Sequence, residues 1–126
     1  MLTETLESVR GMRIERMKID EERGYGDGVL CIYLPGNRLL TVRDDGRRCC
    51  EARYLTCDDD LEAFAGATLQ NIEIREGPGA EEREFDFHEM AFVHVITDKG
   101  TVVLTTHNEH NGYYGGFALV VELEDC

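Results

Sequence analysis

LESVRGMRIERMKI, residues Leu6 to Ile19, and LEAFAGATLQNIEI, residues Leu61 to Ile74, decide the fold. At a constant offset of 55, Leu6 falls on Leu61, Glu7 on Glu62 and Gly11 on Gly66. Val9 falls on Phe64, Ile14 on Leu69, Met17 on Ile72 and Ile19 on Ile74. Both copies read as a short amphipathic helix that a glycine ends, followed by a strand. The apolar parity slips by one between Ile14 and Met17 and again between Leu69 and Ile72, which predicts a shared β-bulge.

The likeness continues downstream. VLCIYLPGNRLLTV (Val29 to Val42) resembles AFVHVITDKGTVVL (Ala91 to Leu104) at an offset of 62. Each reads as an apolar strand, a tight turn (Pro35-Gly36-Asn37, then Asp98-Lys99-Gly100) and a second apolar strand. The loops between, EERGYGDG and REGPGAEEREFD, differ in length, as loops of duplicated units do. The expected fold is therefore α+β and mostly antiparallel β. Two tandem α-β-β-β repeats, about 2–57 and 58–124, pack as one domain with pseudo-twofold symmetry. A last strand, Phe117 to Leu123, is expected to close the second repeat.

The chain has 126 residues, 42% of them hydrophobic, with five Tyr and five Phe, which suits one folded domain with a modest core. No run approaches the roughly 20 apolar residues of a membrane span, and MLTETLESVR lacks the regions of a signal peptide. Five cysteines, an odd count, read as reduced thiols of a cytosolic protein, with Cys31 in VLCIYL a small buried hydrophobe. A net charge of -13 argues against direct binding to nucleic acid or anionic membranes. It suits solubility, a basic protein partner, or an acidic decoy of a nucleic-acid-binding protein.

The chemistry-bearing residues gather in two segments, each following a hairpin: RDDGRRCCEARYLTCDDDL (Arg43 to Leu61) and TTHNEHNGYYGGF (Thr105 to Phe117). The candidate ligand-binding residues are His107, Asn108, Glu109, His110, Asn111, Tyr113 and Tyr114, with Cys49, Cys50 and Glu51 from the other segment. Aromatics beside glycines and polar hydrogen-bonders suit a lip for a small molecule or peptide. For a metal, zinc above all, the candidates are Cys49, Cys50, His107 and His110, with Asp58 to Asp60 nearby. His-x-Glu-His is not a helical i, i+4 pair, however, and no Cys-x-x-Cys occurs, so no cofactor is expected. A thiol enzyme would use Cys49 or Cys50 as nucleophile and His107 or His110 as base, but no diagnostic motif marks any catalytic residue.

Several residues have structural explanations. Asn111-Gly112 suits a type I′ turn, Gly115-Gly116 a kink, and Thr56-x-x-Asp59 a helix capping box. His94 in VHVI reads as a hydrogen-bonded core residue, and His88 in FDFHEM reads either way. His107, Glu109, His110 and the tyrosines are more than a turn requires.

On DDGRRCCEARYLTCDDDL, GATLQNIEIREG and THNEHNGYYGGF, the chain resembles a family of small uncharacterised proteins of bacteria and bacteriophages. The resemblance brings no established activity, cofactor or catalytic residue. It implies a small stand-alone or accessory protein, bacterial or phage-encoded, and favours one that binds and modulates a host factor. The leading expectation is thus a non-enzymatic binding or regulatory module. The alternatives are a metal- or thiol-dependent hydrolase on the same face, and the acidic decoy.

Overall fold

The chain begins with helix α1, Leu2–Val9, which presents Leu6 and Val9 to the core. Gly11, at φ +88°, turns it off in the left-handed region that favours glycine, and Met12 N–H donates to Val9 O at 3.0 Å. Gly66, also at φ +88°, ends a 3-10 helix, Leu61–Phe64, and Ala67 N–H donates to Phe64 O at the same 3.0 Å. The second helix is thus a single tighter turn. Asp60 Oδ1 caps it by accepting from Glu62 N–H, so the expected Thr56-to-Asp59 capping box gives way to an aspartate one residue on. The computed structural model describes residues 2–21, 28–44, 52–77, 81–82, 87–110 and 117–125.

Among the described residues, nine strands follow in order: β1 Arg16–Asp20, β2 Val29–Leu34, β3 Arg38–Asp44, β4 Ala52–Cys57, β5 Leu69–Glu76, β6 Glu81–Glu82, β7 Phe87–Thr97, β8 Gly100–His110 and β9 Leu119–Asp125. They form two antiparallel sheets, ordered β1-β2-β3-β9 and β4-β8-β7-β5, with β6 pairing β7. The architecture is mostly antiparallel β, as expected, with very little helix.

Both expected hairpins are present. Met17 pairs Ile32, which pairs Leu40; Ile72 pairs Val95, which pairs Val102. The first turn holds one residue more than the second, so β2 aligns with β7 one position away from the offset of 62. The expected bulge is a register shift between Leu69 and Asn71. In the first copy the parity slips at a bend at Glu15, whose N–H donates to Tyr33 O.

Two expectations are corrected. Strand β4 runs through the segment Arg43 to Leu61, which the expected α-β-β-β unit leaves without a strand, and β9 does not close the second hairpin. Instead β9 pairs β3 (Val42 with Val121), while β4 pairs β8 (Leu104 with Cys57). Each hairpin's following strand therefore crosses to the other hairpin's sheet.

Where the two copies meet, Arg13 and Thr68 form a β-bridge, two residues that the offset of 55 relates to each other. Around it Gly11 N–H donates to Leu69 O, and Gly66 N–H to Ile14 O. Ile14 N–H donates to Ala67 O, and Leu69 N–H to Met12 O. Exchanging the copies turns each bond into its companion.

The sheets share one core. Met17, Leu30, Ile32, Leu34, Leu40 and Val42 of the first meet Ile72, Val93, Val95, Val102 and Leu104 of the second, with Leu6 and Val9 along one side. Burying each such side chain contributes about 1.5–3 kcal/mol. Cys31 is fully buried as expected, but it lies on the outward face of the first sheet with Val29 and Leu39.

Candidate functional site

Period-two alternation along β8 splits THNEH between the two faces of the second sheet. Thr106, Asn108 and His110 face inward and are buried; His107 and Glu109 face outward and are half-buried. The opening five residues of the suspected loop are therefore strand, held between β4 on one side and β7 on the other. His107 and His110 do not converge, which removes the pair as joint ligands of one metal ion. Asn111, Tyr113, Tyr114, Cys49, Cys50 and Glu51 lie outside the described residues, as do the expected Asn111-Gly112 turn and Gly115-Gly116 kink.

The described ends of these two segments do come together. Asp44, the last residue of β3, pairs Leu119 at the start of β9, and its Oδ1 accepts from Ala118 N–H at 3.0 Å. Its Oδ2 accepts from Arg53 Nη1 at 2.7 Å, with both side chains about 5% exposed or less (Arg53 4%, Asp44 5%). Ala52, at the start of β4, pairs Glu109 near the end of β8. Both crossovers thus start and finish at one end of the molecule.

That end is polar on the inside. Glu89, Asn108 and Arg53 occupy one inward rung across β7, β8 and β4. His110 Nε2 lies 2.6 Å from Glu89 Oε1, and its ring is nearly parallel to that of Phe87. With the Arg53–Asp44 ion pair these groups close the core. A narrow cleft between the sheets, lined by Asp44, Arg53, Tyr54, Thr106 and Leu119, opens beside them.

The outward face carries the more exposed chemistry. Three rungs cross β7, β8 and β4: His88, Glu109 and Ala52; Met90, His107 and Tyr54; Phe92, Thr105 and Thr56. His107 stands at the centre. Its ring stacks on Tyr54 at 4.5 Å between centroids and 10° between planes. Its Nε2 lies 2.9 Å from Thr56 Oγ1, and its Nδ1 lies 2.9 Å from His88 Nε2. The His88 ring lies 14° from parallel to it. Both contacts are satisfied when His107 carries its proton on Nε2 and donates it to Thr56, while accepting His88 Nε2–H at Nδ1.

Burial holds His107 below the ordinary histidine value of 6.5, His88 pushes in the same direction, and Glu109 opposes them. The folded ring therefore resists protonation that the unfolded chain accepts. As pH falls through 6.5 the unfolded state binds more protons, so stability must decline with acid. Urea midpoints between pH 7.5 and pH 5 should fall for the wild type, and His107→Gln should flatten that decline.

Cys57, half-buried at the end of β4, is shifted the other way from an activated thiol. Burial pushes it up, the Asp59 backbone hydrogen bond lowers it, and the charges of Asp59 and Asp58 add to the rise. Asp59 Oδ2 accepts from Val103 N–H, so Asp59 and Asp60 are committed to strand and helix ends. Among the described residues, no group of three or more His, Cys, Asp or Glu side chains is arranged to hold a metal ion.

His88, which the sequence left open, joins the site, and Tyr54, Met90 and Phe92 join it unforeseen. The signal for the β7 residues is the alternation in FHEMAFVHVIT, which puts His88, Met90, Phe92 and His94 on one face. His94 accordingly sits half-buried on that outward face, opposite Glu73 and Val103, and not in the core.

A family model matches residues 7–120, described as a domain of unknown function (DUF7448). The chain belongs to this family. No curated protein and no solved structure matches it. No helix among the described residues is long and apolar enough to cross a membrane.

Proposed function

We propose that this DUF7448 protein is a non-enzymatic binding or regulatory module. It recognises a protein or small-molecule partner with the outward face of its second sheet. The observation that carries this reading is the held ring of His107, locked by Tyr54, His88 and Thr56 amid half-buried Met90 and Phe92. Aromatic, Met and His side chains fixed on a sheet bind at little conformational cost, and aromatic residues and Met are enriched at the centres of interfaces. Asn111, Tyr113, Tyr114, Cys49, Cys50 and Glu51 follow or precede β8 and β4 in the sequence, so they remain candidate contacts in this reading.

We further infer that the chain is two tandem repeats related by a pseudo-twofold. The reciprocal hydrogen bonds around Arg13 and Thr68 and the matching sheet orders support it. The resemblance to bacterial and bacteriophage proteins makes a host factor in the cytosol the partner to seek.

Cross-linking capture from a bacterial lysate, followed by affinity measurement with the recovered partner, tests the face. Tyr54→Ala and Met90→Ala should each weaken binding about thirtyfold, the effect of truncating a hot-spot residue worth about 2 kcal/mol. Lys18→Ala, on the outward face of the first sheet, should leave it unchanged. Equal affinity across all three variants would rule the face out.

A further inference from the structure

The contact between His88 and His107 has a second capability, beyond partner recognition. Two imidazole nitrogens, from adjacent strands and on an outward face, stand 2.9 Å apart, at hydrogen-bond distance. Zn–N bonds of about 2.0–2.1 Å at a tetrahedral angle require a nitrogen separation of about 3.3 Å. Small rotations of two side chains would supply the difference, with no movement of the strands.

The surroundings favour a cation in the proton's place. When Thr56 Oγ1 accepts from Nε2–H of His107, the lone pair lies on Nδ1, the nitrogen facing His88. Such an outer partner fixes the tautomer and orientation of a metal-ligating histidine. Stacking on Tyr54 holds the ring plane. Glu109, on the same rung as His88, adds negative charge beside the pair. Imidazole nitrogen suits zinc, copper and nickel, and does not suit magnesium or calcium.

We propose that His88 Nε2 and His107 Nδ1 form a two-histidine clamp for a divalent late transition-metal ion, with zinc the ion to test. On binding, His88 gives up its Nε2 proton and takes one at Nδ1, so both rings stay neutral. Solvent fills the remaining coordination positions, and that open half would let the ion meet a donor from outside the chain.

Zinc chloride titrated into the purified, reduced protein by calorimetry tests the clamp, with magnesium chloride as the control. Imidazole 1H–15N spectra report which rings respond. The clamp predicts one zinc per chain, shifts of the His88 and His107 ring signals, and no response to magnesium. His88→Gln and His107→Gln should remove the binding, and Thr56→Val should weaken it about tenfold. Unshifted His88 and His107 rings, or wild-type zinc affinity in both glutamine variants, would overturn the proposal. The ring spectra of the wild type decide it even if a variant unfolds. Repeating partner capture with a chelator keeps the recognition reading separate, because a face that binds without metal survives the clamp's failure.

Discussion

Arg53→Met should lower stability by about 3–5 kcal/mol, read from the urea midpoint at constant m-value. The cause lies in the exposure of the pair. Arg53 and Asp44 are at 4% and 5%, 2.7 Å apart, so removing the guanidinium leaves a carboxylate charge in a dry place. Asp44 also receives Ala118 N–H, which ties the start of β9 to the end of β3. Loss of the Arg53 partner would thus loosen the very end where both crossovers begin. Asp44→Asn should be nearly as damaging. Combining Arg53→Met with Asp44→Leu should recover much of the loss, because the pair's own net contribution is small once both charges are gone. A single variant at wild-type stability would show that water reaches the pair.

Leu104→Ala should cost about 2–5 kcal/mol. Leu104 is fully buried at the middle of β8, between Cys57 on β4 and Val93 on β7, and it faces the first sheet across the shared core. Strand β8 is hydrogen-bonded on both sides, to β4 and β7, and cannot collapse into the space. Val103→Ala, one residue away on the outward face and half-exposed, removes less apolar contact and should cost less than half as much. Denaturant unfolding of the two variants side by side checks this. Equal losses would mean that the inward and outward faces of β8 have been assigned the wrong way round.

The fold was legible wherever local pattern and long-range partner coincide. Gly11 and Gly66 occupy matching left-handed positions, and the apolar residues around them pack as the repeat predicts. The hairpin turns also lie where their Gly, Asn and Asp residues put them. The exchange of β4 and β9 was not legible, because pairing between sheets leaves no mark on either strand's own sequence. In β4 the strand formers Tyr54, Leu55 and Thr56 were masked by the flanking cysteines and aspartates.

The candidate site divides along the same line. The alternation of Thr106 to His110 was readable once the segment is taken as strand, and it already separates His107 from His110. The contact between His88 and His107 was not, since it depends on the register of β7 against β8. Nor could Arg53 be assigned to the interior, because an arginine reads as surface unless its buried partner Asp44 is known.

The recognition face is tested most directly by amide NMR of the labelled protein titrated with its captured partner. Binding through this face predicts the largest shifts at Tyr54, His88, Met90, His107 and Glu109, with little change on the first sheet. Shifts concentrated at Glu122, Glu124 and Asp125 of β9, and a strong loss of affinity with salt, would contradict it and point to the acidic edge instead.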